Sequence, residues 1–178
     1  MANTYTLIAS STAGAGGTTA FDFTSIPSTY TDLLIKWSAR QDLGAVAASD
    51  FIYINGSQTS YSGRWLEGNG ASASSYSYTG NFTYANAEGD GASATANTFA
   101  NAELYIPNYA GSSYKSMSSD SVMENNATTA YAVLGANLWS NTAAITRVTI
   151  STSATNVTGG AQKFVQYSTA YLYGVKSS

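Results

Sequence analysis

The alternation of apolar and polar side chains is clearest at residues 32–40, which read DLLIKWSAR. In an extended chain, Leu33, Ile35, Trp37 and Ala39 fall on one side, and the residues between them fall on the other. A period of two is the pattern of a half-buried β-strand. The stretch therefore predicts a strand with one face in the core, and it provides the pattern for interpreting the rest of the chain.

The same rhythm recurs along the chain and predicts about ten to twelve strands, at the spacing typical of a sandwich. The other stretches that show it are 5–10, 19–23, 50–54, 60–67, 98–106, 114–124, 129–139, 145–151 and 164–175. Asn55-Gly56 predicts a tight hairpin turn, and residues 125–128 (NNAT) predict another turn. No stretch has a convincing helical period. We expect an all-β fold, an antiparallel β-sandwich of the jelly-roll type.

Residues 1–178 are expected to form one domain, because 178 residues is an ordinary length for a single domain. Residues 68–98 differ in composition, since Gly, Ala, Ser, Asn and Tyr dominate them. Within this range the aromatic residues between 76 and 84 alternate as they would in a pair of strands. We interpret 68–98 as a Gly/Ser/Tyr-rich insertion that carries a hairpin with flexible flanks.

The composition excludes several classes of site. The chain has no Cys and no His, which excludes disulfides, thiol nucleophiles, Ser-His-Asp triads and the usual structural zinc sites. Seven Lys and Arg against ten Asp and Glu give a net charge of −3, and the cations are scattered. No nucleic-acid partner is therefore expected. With 14 Tyr and 3 Trp, the core is expected to combine aromatic with small side chains.

Catalysis without His or Cys would depend on carboxylates, Tyr, Lys or hydroxyls, and a two-carboxylate glycosidase is the natural candidate. The acids in or beside predicted strands are Glu67, Glu103, Asp120 and Glu124. They match no catalytic motif, and the alternative is that they are solvent-facing strand residues or ion-pair partners. We therefore predict that the protein is not an enzyme, with no cofactor and no metal, and keep glycosidase as a third option.

One segment resembles the first half of a calcium loop. Residues 86–91 (NAEGDG) place oxygen-bearing side chains at alternate positions before a Gly. The twelfth position is Asn97, where a calcium loop would have a bidentate Glu. A Gly-rich acidic turn is the alternative, and the sequence leaves open whether calcium binds near Asn86 to Asp90.

Aromatic residues give the best candidates for a contact surface. Tyr and Trp bury much area at a small entropy loss, and they suit both sugar and protein partners. Core packing and cross-strand pairing are the alternative. For the 76–84 segment we favour an exposed contact element. The candidate carbohydrate or partner contacts are Trp65, Tyr76, Tyr78, Phe82 and Tyr84.

No signal peptide or membrane partner is expected from the sequence. Residues 1–5 have no basic region followed by an apolar one, and the apolar runs are too short for a membrane span. The expectation is a protein made in a cytoplasm that, if it works outside the cell, leaves by a route such as lysis or assembly into a particle.

Four segments resemble recurrent sequences of small structural proteins of tailed bacteriophages, especially aquatic ones. They are YTLIAS (5–10), SIPSTYTDL (25–33), ENNAT (124–128) and FVQYSTAYLYG (164–174). The resemblance covers nearly the whole chain except the 68–98 insertion. It supplies strand and turn sequences and no active-site residues, and it implies a component of the virion.

The resemblance implies a virion structural protein, namely a capsid decoration, cement or short-fibre protein. The implied partner is the major capsid protein or a tail component of the same virion, and the implied state is a homo-oligomer, of which a trimer is one form. The alternative is a carbohydrate-binding adhesion module of a tail or capsid fibre, with a surface glycan as its ligand.

Overall fold

The computed structural model describes residues 4–125 and 129–176, with the backbone alone at 85–88. These residues form twelve β-strands, and none of them lies in an α-helix or in a helix able to span a membrane. The strands are β1 (Thr4–Thr12), β2 (Ala20–Phe23), β3 (Asp32–Ala39), β4 (Ala47–Ile54), β5 (Tyr61–Gly68), β6 (Ala73–Gly80), β7 (Thr83–Asp90), β8 (Ala100–Ile106), β9 (Lys115–Met123), β10 (Tyr131–Trp139), β11 (Val148–Ser151) and β12 (Thr169–Lys176).

The strands form two antiparallel sheets. The larger has eight strands in the order β1-β12-β3-β8-β9-β10-β5-β6, and the smaller has four in the order β2-β11-β4-β7. One buried cluster joins them, with Ile35 of β3 and Leu104 of β8 from the larger sheet and Ile52 of β4 and Ile150 of β11 from the smaller. The prediction of an all-β, antiparallel sandwich is confirmed.

Strand β3 lies in the middle of the larger sheet, between β12 and β8. Leu33, Ile35, Trp37 and Ala39 are all buried on the inner side, as the alternation predicts, and Lys36 is exposed on the outer side. Leu34 also lies on the outer side but is buried, because its neighbours across the ladder are two tyrosines. Aromatic partners can therefore cover an outward-facing leucine.

The Asn55-Gly56 turn exists, but it does not form the predicted hairpin. Both residues have positive φ, 51° and 69°, as a tight turn of this kind requires. The strands that it joins, β4 and β5, lie in different sheets. The Asn55 side chain binds the segment before β11 instead: it accepts from the backbone N–H groups of Thr146 (2.9 Å) and Arg147 (3.1 Å) and donates to the Ala144 carbonyl (2.8 Å).

The predicted insertion also supplies two strands that do not pair as a hairpin. Strand β6 pairs with β5 at the edge of the larger sheet, whereas β7 pairs with β4 at the edge of the smaller one. The chain therefore crosses between the sheets at residues 81 and 82. The antiparallel pairing of β9 with β10 agrees with the turn predicted at residues 125–128, although residues 126–128 lie outside the described part of the chain.

Arg40, directly after β3, holds the segment that leads from β7 to β8. Its guanidinium donates to four backbone carbonyls of that segment, at 2.8 to 3.2 Å: those of Ala92, Ala94, Thr95 and Thr98. Asp90 lies beside it and is almost fully buried. Burial raises the pKa of Asp90, and the neighbouring Thr98, Arg40 and Asn125 side chains oppose this shift only in part.

Candidate functional site

We call the side of the eight-stranded sheet that faces away from the smaller sheet the outer face. It carries several large side chains that are open to solvent. Those on the outer face are Tyr5, Leu7, Leu66, Val122, Leu134 and Tyr171. Exposed apolar groups that gather in one area mark a contact surface more often than scattered ones do.

Four side chains on the outer face form a row across four neighbouring strands, which we call the polar row. Tyr171 of β12 lies opposite Lys36 of β3, Lys36 opposite Glu103 of β8, and Glu103 opposite Asp120 of β9. Side chains at directly opposite positions start about 5 Å apart, and the Lys36 Nζ atom lies 2.8 Å from the Glu103 Oε2 atom. The register of three strand pairs thus assembles an aromatic ring, a cation and two anions.

The charges of the polar row are unbalanced. The hydrogen bond to Glu103 raises the pKa of Lys36. The pKa of Asp120 is raised first by its partial burial and then by the Glu103 charge, with Lys36 opposing both. One cation and two carboxylates give the row a formal charge of −1, so it favours neutral or cationic groups over anions.

A groove follows the polar row. Its first part, about 350 Å³, is lined by the four residues of the row together with Asn101 and Tyr173. A second part, about 460 Å³, continues past Lys36 and Glu103 toward Tyr5. The Tyr171 and Tyr173 rings are stacked, with centroids 6.4 Å apart and planes 26° apart. The groove therefore combines aromatic walls with a polar floor.

Replacing Lys36 by Met is expected to raise the pKa of Asp120 further, because Lys36 is the charge that holds it down. The free energy of unfolding should change by less than about 1 kcal/mol, since the ion pair with Glu103 is largely exposed. Titration of the Asp120 side-chain carboxyl signal by NMR measures this pKa. Lys176→Met, at the end of β12, is the matched control, and an Asp120 titration equal in both variants would contradict the assigned coupling.

The five aromatic residues singled out from the sequence lie together, and we call them the aromatic cluster. Trp65 stacks on Tyr76 at 4.9 Å, with planes 25° apart. Tyr84 contacts Trp65 (5.1 Å), Tyr78 (5.1 Å) and Phe82 (4.9 Å). Their proximity depends on both sheets, since Trp65, Tyr76 and Tyr78 come from β5 and β6, whereas Tyr84 comes from β7.

Most of the aromatic cluster packs the two sheets together. Phe82 lies edge-on to Phe51 of β4, at 4.7 Å. The Tyr78 hydroxyl donates to Asn137 Oδ1 (2.9 Å) and accepts from the Tyr84 N–H (3.2 Å), and burial raises the pKa of Tyr78. These contacts explain why the chain crosses between the sheets after β6. Tyr76, at 44% exposed, presents the most open ring of the cluster.

The four acids noted in the sequence lie in three different parts of the structure. Glu103 and Asp120 share the polar row, and Glu103 is engaged by Lys36. Glu67 is on β5, where its Oε2 atom lies 3.4 Å from the Trp65 Nε1 atom, and Glu124 follows the end of β9. Among the residues that the structure describes, no group of three or more metal-binding side chains occurs. The side chains of residues 86–88 in the calcium-like segment are outside the described residues.

The sequence did not reveal that Lys36, Tyr171 and Tyr173 accompany the two acids. All three are at alternating positions of predicted strands, on the side away from the core, which is the only local signal that they carry. They lie close together because β3 lies between β12 and β8, and local periodicity does not show which strands are neighbours in a sheet.

None of the protein-family models, curated proteins and solved structures compared with this chain matches it. Its function must therefore be inferred from its own residues, chiefly from those of the outer face and of the aromatic cluster.

Proposed function

We propose that this protein is a structural component of a bacteriophage particle, a capsid decoration, cement or short-fibre protein. It binds the major capsid protein or a tail component of the same virion, as a homo-oligomer. The resemblance of four segments to phage structural proteins supports this proposal, and so does a sparsely charged, Cys-free and His-free composition that offers little reactive chemistry.

The strand order supports a jelly roll as the underlying architecture. Without β5, β6, β9 and β10, the sheets reduce to β1-β12-β3-β8 and β2-β11-β4-β7. The first strand then lies beside the last, the second beside the second-last, and most connections change sheet, as in a jelly roll wound from one long hairpin. Jelly rolls are common in viral capsid and lectin domains. The four additional strands all widen the larger sheet, and so they create the broad outer face.

The observation that carries the proposal is an apolar area at the β5, β9 and β10 end of the outer face. Leu134 and Leu66 lie directly opposite each other and are 60% and 59% exposed. Val122, also exposed, lies nearby and lines the same depression. Burying such side chains contributes about 25 cal/mol per Å², and repetition over many sites of a particle multiplies the effect by avidity.

The proposal is tested by asking whether the protein is on the particle and whether this apolar area binds it there. In purified particles of the phage that encodes this chain, we expect imaging to locate it on the surface, and we expect light scattering to give a homo-oligomer in solution. Leu134→Asp should abolish rebinding to particles stripped of the protein, whereas Leu7→Asp, a similar exposed change at the far edge of the sheet, should leave rebinding intact. A monomer that is absent from particles would overturn the proposal.

The second candidate is a carbohydrate-binding adhesion module on the same particle. Two features favour it: the open Tyr76 ring stacked on Trp65, and the groove with aromatic walls on the outer face. Lectin domains also use jelly rolls, so the proposed architecture is compatible with both candidates.

A further inference from the structure

We propose that the groove along the polar row binds a neutral oligosaccharide. The proposal rests on the second candidate function above and moves its binding site away from the aromatic cluster. The groove residues that carry it are Tyr171, Tyr173, Lys36, Glu103, Asp120 and Asn101.

The two tyrosines supply the surface on which a sugar ring packs. Tyr171 and Tyr173 are two positions apart on β12, so their side chains project from the same side of the sheet. Their rings are nearly parallel, and Tyr171 is 37% exposed. The apolar C–H face of a pyranose suits an aromatic face, and each phenol adds a hydroxyl at its rim. The stacked pair therefore offers the exposed part of the Tyr171 ring as an apolar contact, with a phenol hydroxyl at its edge.

The charged and amide side chains of the groove can both accept and donate hydrogen bonds. The Glu103 and Asp120 carboxylates accept, and the Lys36 ammonium and the Asn101 amide donate. A sugar hydroxyl both donates and accepts, so it needs such a mixed set. The Lys36–Glu103 ion pair also fixes both charged groups before a ligand arrives, and such preorganisation reduces the entropy lost on binding.

The charge and length of the groove narrow the ligand class. One cation against two carboxylates disfavours uronic and sialic acids and leaves neutral sugars. From Tyr5 on β1 to Asp120 on β9 the groove crosses four strand spacings, about 19 Å. This is longer than one sugar ring, so an oligosaccharide fits better than a monosaccharide.

The aromatic cluster is a poorer site for the same ligand. Tyr78, Phe82 and Tyr84 use their ring faces and edges against one another and against Phe51. Only Tyr76 keeps a largely open ring, and its other face is stacked on Trp65. A sugar there would find one open ring. Among the described residues, the depression beside it is lined by an arginine and several serines but by no carboxylate that could accept the hydroxyl hydrogen bonds of the sugar.

The experiment is affinity electrophoresis of the full chain through gels that contain mannan, xyloglucan, mixed-linkage glucan or alginate. We expect retardation by at least one neutral polysaccharide and none by anionic alginate. For the polysaccharide that binds, Tyr171→Ala and Asp120→Asn should each weaken binding by about tenfold. Tyr114→Ala, which removes an exposed ring outside the groove, should leave binding unchanged. Thermal unfolding of each variant checks that the fold is intact.

The possible results distinguish the location of the binding site from the carbohydrate-binding function itself. Binding of a neutral polysaccharide that persists in Tyr171→Ala and Asp120→Asn but is lost in Tyr76→Ala would overturn the groove as the binding site. It would keep the carbohydrate-binding function and place it at the aromatic cluster. No binding to any neutral polysaccharide at millimolar sugar would overturn both. Alginate retarding the protein as strongly as the neutral polymers would overturn the charge-based choice of ligand.

Discussion

Replacing Phe21 by Ala is expected to lower the free energy of unfolding by about 3 to 5 kcal/mol. Phe21 lies in β2, is fully buried, and stacks on Phe164 with centroids 4.8 Å apart. Phe164 is not part of a strand, but its backbone forms bridges to Thr18 and Gln41, so the ring pair ties the smaller sheet to the segment before β12. Alanine would leave a cavity where close-packed neighbours cannot collapse fully.

Urea denaturation followed by tryptophan fluorescence measures this loss. Leu7→Ala is the matched control, because Leu7 is a large apolar residue on an edge strand that is more than half exposed. Its change should stay within about 0.5 kcal/mol. A loss for Phe21→Ala no greater than that of the control would show that the ring pair does not stabilise the sandwich.

Replacing Arg40 by Ala is expected to lower the free energy of unfolding by about 3 kcal/mol, because several charge-assisted hydrogen bonds are lost together. The four carbonyls that Arg40 binds lie within residues 92–98, so this segment should become the first to open. Arg40→Lys should not restore it, since one ammonium cannot reach the positions that a guanidinium fork spans.

The loss should depend on pH in a direction set by Asp90. Its pKa in the folded protein is already raised by burial, and removing Arg40 takes away a charge that lowers it. A carboxyl with a higher pKa folded than unfolded binds more protons when folded, so stability rises as pH falls through the folded pKa. The deficit of Arg40→Ala is therefore expected to be largest at neutral pH and smaller in mild acid.

Hydrogen exchange of residues 91–98 tests whether this segment opens first. Denaturant unfolding of the parent and of Arg40→Ala, at neutral pH and in mild acid, tests the pH dependence of the loss. Arg64→Ala removes an exposed arginine from β5 and should change neither. Exchange in 91–98 that is as slow in Arg40→Ala as in the parent would contradict the role assigned to Arg40.

The strands were predictable because each is a local pattern, whereas their pairing, apart from that of β9 with β10, was not. The alternation in DLLIKWSAR places Leu33, Ile35 and Trp37 in the core, as the structure shows. Asn55-Gly56 correctly predicts a turn, but the Asn55 side chain binds the distant 144–147 segment, and the strand after the turn, β5, lies in the other sheet. A turn motif fixes backbone angles within a few residues, whereas sheet membership is decided by contacts far along the chain.

The same limit applies to the candidate sites. The aromatic cluster could be found because Tyr76, Tyr78, Phe82 and Tyr84 are close in sequence. A local concentration of aromatic residues is visible in a sequence without a structure. The polar row combines residues from four strands that are far apart in sequence, and only the strand order unites them. Composition could exclude His and Cys chemistry, but it could not show that Glu103 and Asp120 face each other.

The pairing of the outermost strands affects how the chain is made on the ribosome. Thr4 of β1 pairs with Lys176 of β12, and β2 pairs in its sheet with β11, so both strands pair with partners that are synthesised much later. The β8-β9-β10 meander can form during translation, because each strand pairs with the next. Strand β1, TYTLIASST, carries no charge and stays without this partner until β12 has been synthesised. During that interval its edge is a site at which the nascent chain can associate with other chains.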